Sequence, residues 1–219
     1  SLIDIFHLSD EQINILFSSR IPRTVSILLS GSSLALSGLI MQQMMQNKFV
    51  SPTTAGTMEW AKLGILMSLL FFPNGPILIK LLFAVVLSIV GTFLFVQLIN
   101  LIRVKDVIFV PLLGIMIGGI LSSFTTFVAL RTNALQSIGN WLTGNFAVIT
   151  SGRFEVLYLT IPLLILAFVF ANHFTIAGMG KDFSHNLGVS YEKIIKIALF
   201  IIATLTALVV VTVGTLPFL

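Results

Sequence analysis

The side chains of this chain best suited to chemistry are Arg20 and Arg23, the amide-rich stretch Gln42, Gln43, Gln46 and Asn47, and the pair Glu59 and Lys62. Two guanidinium groups open a long apolar run and the amides close it. Charge is costly in hydrocarbon, so the arginines must lie at the membrane edge, where they meet water or a partner. Amides at that depth either bond between helices or line a polar path. Glu59 and Lys62, spaced i,i+3 at a helix start, read as an interfacial ion pair near a helix N-terminus. Catalytic and metal chemistry find no residues. The cysteine count is 0, and His7, His173 and His185 are isolated, without zinc-ligand spacing or a nucleophile elbow nearby. The stretch from Gly178 to Asp182 fails as a phosphate loop, because Thr175 takes the first glycine position and Asp182 the Ser/Thr position. Thr212-Val213-Gly214 continues into Thr215-Leu216 where a potassium filter needs Tyr-Gly.

The elements that must position these groups are membrane helices. With 57% hydrophobic and 9% charged residues and a mean hydropathy of +1.08, the 219-residue chain is too apolar for a soluble domain. The formal charge of +4 comes from Lys and Arg scattered at span ends, which fits membrane topology and not nucleic-acid binding. The predicted fold class is an all-α polytopic transmembrane helix bundle with about six spans and a partial one, since a span needs roughly 20 apolar residues. They fall near residues 23–45, 57–73, 77–101, 107–130, 154–172 and 192–213, and Pro73-Asn74-Gly75-Pro76 is the sharpest break between them.

Alternate loops sort the basic residues into two sets. Lys48, Lys62, Arg103, Lys105, Lys181, Lys193 and Lys196 fall on one side, and Arg20, Arg23, Lys80, Arg131 and Arg153 on the other, which the bias places outside. Residues 1–19 are then expected as an external segment joined to a preceding helix that this sequence does not contain. The connection from Arg131 to Arg153 holds Trp141 among polar residues and predicts a short helix at the outer surface. In the connection from His173 to Tyr191, glycines bracket one or two helical turns, followed by Ser190 as a cap and Glu192 in the next first turn. Small residues from Ser30 to Gly38, and Gly114 with Gly118, predict close helix packing. Ser122, Ser123, Thr125 and Thr126 predict a face turned into the bundle or a wet cavity.

Taken together, several elements resemble the permease subunits of iron-siderophore and vitamin B12 ABC importers. They are Arg20-Ile21-Pro22-Arg23, Gly38-x-x-x-Gln42, Asn47-x-Phe49-x-x-Pro52 with Gly56, Trp141-Leu142-x-Gly144, the Gly180 to Gly188 loop and Gly214-Thr215-Leu216-Pro217-Phe218-Leu219. The resemblance runs along nearly the whole chain. It implies a permease of about ten transmembrane helices, of which residues 1–219 form a single-domain fragment lacking the first and last helices. It further implies a homo- or heterodimer with a second permease subunit, cytoplasmic ATP-binding subunits that use the ATP, an external or periplasmic substrate-binding lipoprotein, and a bacterial plasma membrane. No cofactor is expected on this chain itself.

By position, Arg20 and Arg23 match arginines that dock the binding protein. Gln42, Gln46, Asn47 and Phe49 match an inner gate and pathway, with Val107 and Ile108 near a companion gate. Phe49 stands where the family has leucine, and the second gate is apolar where the family has a hydroxyl. Residues 178–190 match the loop that couples to the ATPase, through Gly180, Lys181, Asp182, Phe183, Ser184, Asn186, Leu187 and Gly188. Residues 47–61 look most like Gram-positive permeases for catecholate siderophores of the petrobactin type. The expected cargo is a ferric siderophore. Haem or cobalamin import is the alternative within transport; an ion channel or proton-coupled carrier would need a filter or a buried acidic relay, and Glu59 reads as sitting at a span end.

Overall fold

The computed structural model describes residues 10–101, 108–152 and 154–217, and every regular element among them is a helix, with no strand. The first helix differs from expectation at its start. α1 (Asp10–Ile15), a π turn (Leu16–Arg20) and α2 (Ile21–Met45) form one 36-residue run. Residues 10–19 therefore extend the first span as helix. At 1.5 Å per residue the run is about 54 Å long, against a hydrocarbon core of about 30 Å, so one end stands clear of the membrane. Pro22 explains the π turn. It has no N–H to give the Ser18 carbonyl, which instead accepts from the Ser151 N–H at 3.1 Å.

α2 ends at Gln46 in the left-handed region (φ 50°), and the chain turns back on itself through residues 47–56. That segment is held by its own short polar side chains: the Phe49 N–H donates to Asn47 Oδ1 at 2.9 Å and the Ser51 N–H to Thr54 Oγ1 at 2.8 Å. It carries α3 (Thr57–Phe71) inward before the helix begins. Thr57 Oγ1 meets Thr92 Oγ1 at 3.0 Å, and Thr92 lies about 14 Å in from the Leu101 end of α4 (Ile77–Leu101). With 15 residues α3 is about 22 Å long and starts inside the bundle, too short to cross by itself.

α4 returns to the amide end, and α5 (Phe109–Arg131) climbs back to the arginine end, where α6 (Leu135–Leu142) lies. α6 is the short helix expected there. Its Trp141, however, is buried and donates Nε1–H to the Val211 carbonyl at 2.8 Å, so the ring is tied into the bundle and does not sit at the lipid interface. Two 3₁₀ turns (Phe146–Val148 and Phe154–Leu159) lead into α7 (Thr160–Val169) and α8 (Ala171–Gly178), a pair bent by 56° at Phe170. The fifth expected span is thus broken, and its helix runs on to Gly178 instead of ending at residue 172. α9 (Lys181–Asn186) is the predicted short helix between glycines, and α10 (Tyr191–Thr212) closes the bundle. Ser190 occupies the cap position, but its side chain makes no capping bond.

Among the described residues, four of the expected spans are single helices long and apolar enough to cross, and the α7–α8 pair can serve as a fifth. α10 is the central one. Its most apolar window is 72% buried against 22% for α4 and α5, whose large residues such as Leu82, Phe93, Ile115 and Ile120 remain exposed. Close approach is enforced by glycines: a Cβ on Gly114 would lie 1.9 Å from the Thr54 carbonyl oxygen, and one on Gly91 would enter the Trp60 ring.

Candidate functional site

The arginine end is built by α2 and the loop after α6. Arg23 Nε donates to the Phe146 carbonyl at 3.2 Å and Nη2 to the Ala147 carbonyl at 3.2 Å, with Ser19 Oγ at the limit of reach. Its fork therefore clamps the backbone of a 3₁₀ turn whose own start is held by the Asn145 side chain. Arg20 is exposed, and among the described residues its guanidinium has no partner. The two arginines, alike in sequence, have different surroundings. Nothing in the sequence pointed to carbonyls more than a hundred residues away as the partners of Arg23.

At the other end, from Arg23 to Gln43 about 30 Å away along α2, the glutamines are gathered with α8. Gln46 Nε2 donates to the Gly178 carbonyl. A Cβ on Gly178 would lie 2.9 Å from the Gln43 carbonyl oxygen, so glycine is what lets these helices touch. Gln42, Gln43, Gln46, Asn47 and Lys48 line a cavity of about 420 Å³ with Leu39 and Gly178. Gln46 thus bonds across to the end of α8, and the amides together line a polar recess. Phe49 and Ile108 are both exposed at this end. Val107 lies outside the described residues.

From the amide cavity the exposed stripe of α2 continues toward the arginines. Leu39, Ala35, Gly31 and Ile27 border a second cavity of about 580 Å³ that also receives Phe146, Leu216 and Pro217. A Cβ on Gly31 would meet nothing within 4 Å. The crowd of small residues in α2 therefore serves two purposes. Ser26, Ser30, Ser33 and Ser37 are buried against the bundle, while Gly31 and Ala35 leave open volume on the opposite face. Ser123, Thr125 and Thr126 in α5 each bond a carbonyl one turn back and so are satisfied within their own helix.

The residues expected to couple to an ATPase form a compact knob on α9. Gly180 (φ 108°) and Gly188 (φ 73°) take conformations that suit glycine. Ser184 is fully buried; its hydroxyl lies 2.8 Å from the Gly180 carbonyl of its own turn and 3.3 Å from the Ile176 carbonyl of α8, the second contact holding α9 against the end of α8. Phe183 (62% exposed) and Leu187 (58%) project outward with Lys181, Asp182 and Asn186, and Lys181 pairs with Glu192 at 3.5 Å.

Glu59 and Lys62 are not where their sequence position suggested. They pair, at 2.5 Å, but Lys62 is only 7% exposed and Glu59 21%. The pair sits inside the bundle because residues 47–56 carry the start of α3 inward. One carboxylate held by one ammonium is not a proton relay, which needs successive titratable groups. Among the described residues no three His, Asp or Glu side chains come together as metal ligands.

Comparison with known proteins agrees with this layout. The sequence model of the FecCD transport family matches residues 1–219. The chain is 51% identical over 219 residues to the petrobactin import system permease protein YclN of Bacillus subtilis (strain 168), covering 100% of this chain and 69% of the relative. It is 37% identical over 210 residues to the petrobactin import system permease protein FatD of Bacillus anthracis, covering 96% and 63%. It is 36% identical over 203 residues to the ferric-anguibactin transport system permease protein FatD of Vibrio anguillarum (strain ATCC 68554 / 775), covering 93% and 65%. The chain thus spans roughly two thirds of the length of these relatives. A solved structure of a metal-chelate type ABC transporter in an inward-facing conformation shares the fold, with a TM-score of 0.74 over 96% of this chain and 68% of that one at 22% identity. The helical bundle, its match along every residue and the relatives that share more than a third of its sequence lead to one conclusion: the chain belongs to the FecCD transport family, whose permeases sit in the plasma membrane.

Proposed function

We propose that the chain is the translocation subunit of an ATP-driven importer of a ferric siderophore, with a catecholate of the petrobactin type as its cargo. The observation that carries this reading is the continuous open face of α2, which links the free Arg20 at one end to the amide cavity at the other through small and apolar side chains. A bulky chelate whose metal is already fully wrapped needs width and weak contacts along its path, not metal ligands. A second permease subunit supplies the facing wall. ATP is used by cytoplasmic partners that seat against α9, and this chain takes no cofactor of its own. The test is growth of a strain lacking the gene on a panel of iron sources: growth on the catecholate chelate alone should fail and return with the full-length gene. Undiminished growth on every chelate would sink the reading.

At the arginine end the two residues divide the work. Arg20 offers an exposed charge to an acidic patch of an external binding protein, a contact that sets orientation and on-rate more than affinity. Arg23 holds the 146–147 turn that shapes the same surface. Arg20→Glu is expected to weaken association with the binding protein, chiefly through a slower and less salt-dependent on-rate, while the melting temperature stays unchanged. Arg23→Ala should instead cost about 1–2 kcal/mol of stability by stripping two carbonyls of a charged donor. Pull-down and thermal melting of both variants separate the two roles. Equal stability loss in both would refute the division.

A further inference from the structure

The Glu59–Lys62 pair has no task in the reading above, and its position makes it expensive. An ion pair inside a membrane bundle keeps its charges only against a large desolvation cost, and such groups usually mark a ligand or ion path. Glu59 Oε2, removed from solvent, has Lys62 as its partner and no hydrogen bond besides among the described residues. Glu59 packs beside Gly118 of α5, where a Cβ would lie at ordinary contact distance, 3.6 Å, from its Cγ. Between this carboxylate and the arginine-end loop lies a cavity of about 400 Å³, bordered by Thr53, Glu59, Thr143, Gly144 and Thr215. Its wall is built, not incidental. The Gly144 N–H donates to the Thr215 carbonyl at 2.8 Å, and Thr215 Oγ1 donates to the Leu142 carbonyl at 2.8 Å.

The asymmetry of the pair decides what the cavity attracts. Glu59 borders it; Lys62 does not, being buried behind. The Thr215 hydroxyl is spent as a donor to the Leu142 carbonyl, and Glu59 is the charged group among the residues that line the cavity. We infer that this cavity is a cation-attracting station inside the permease, where the Glu59 carboxylate, braced from behind by Lys62, receives an organic ammonium group. The proposal rests on the transport reading, but its test does not use transport.

Residues 1–219 contain no cysteine, so once any cysteine elsewhere in the full-length importer is replaced, a single reporter can be placed here. In the full-length importer in membranes, Thr143→Cys is labelled with a cationic trimethylammonioethyl or an anionic sulfonatoethyl methanethiosulfonate, and Thr150→Cys, exposed on the same side, serves as reference. The cationic reagent is expected to react with the thiol introduced at position 143 about threefold faster relative to the reference, because Glu59 faces the cavity while Lys62, which offsets part of its charge, lies behind it. Millimolar 1,4-diaminobutane should protect that thiol, and butane-1,4-diol should not. Glu59→Gln should abolish the preference. Because it strands a buried lysine, Glu59→Gln/Lys62→Met is made alongside, and the ratio should fall to that of the reference. Equal rates in the parent, a preference that survives the double variant, or no protection by the diamine would each overturn the station. Iron uptake can fail or persist without altering these ratios, so the two readings fall separately.

Discussion

Replacing Gly114 by valine is expected to abolish transport and to lower thermal stability by about 3 kcal/mol or more, the upper end of what overpacking a filled interface costs. The first added carbon would stand 1.9 Å from the Thr54 carbonyl oxygen and 2.9 Å from the Phe95 ring, so the returning segment 47–56 would be lifted off α5. Everything placed by that segment moves with it: the start of α3, the Glu59–Lys62 pair and the turn that carries Phe49. Gly119 is the control. It lies on the same helix, is exposed, and a Cβ there meets nothing within 4 Å. Gly119→Val should melt with the parent protein. Melting of both variants in detergent, followed by uptake in cells, measures the effect; a Gly114→Val protein as stable as the Gly119→Val protein would show that the segment is not seated as described.

Phe183→Asp combined with Leu187→Asp is expected to reduce uptake at least tenfold while leaving insertion and stability within about 0.5 kcal/mol of the parent, because exposed positions carry little folding energy. Burying an aspartate in an apolar contact costs far more than losing the contact, so a partner that seats on these two residues should release them. Ser184→Leu separates surface from scaffold. Ser184 is fully buried and its hydroxyl reaches the Ile176 carbonyl of α8, so this change should dislodge α9 itself and lower stability as well as uptake. ATPase co-purification and uptake read the result. Parent-level values for both in the double aspartate variant would move the coupling surface elsewhere.

Much of the layout was legible from the chain alone because membrane helices obey one-dimensional rules. A backbone in hydrocarbon must satisfy its own hydrogen bonds, so apolar length marks the spans, and Pro73 to Pro76 and the two glycines around α9 punctuate them. The arginines, the amides and the small residues of α2 likewise announce a helix with two polar ends and a permissive middle. What the chain could not show is contact between distant segments. Arg23 looks like Arg20 until the 146–147 carbonyls arrive beside it. Glu59 and Lys62 look interfacial because a helix start is normally at the membrane edge. Here residues 47–56 fold inward against Gly114 and Gly118, and only that tertiary packing puts two charges in the interior. The sequence by itself therefore determined which residues are costly in a membrane; the tertiary structure decided which of them are braced, which are free and which are buried, since close approach between helices depends on shape at both surfaces at once.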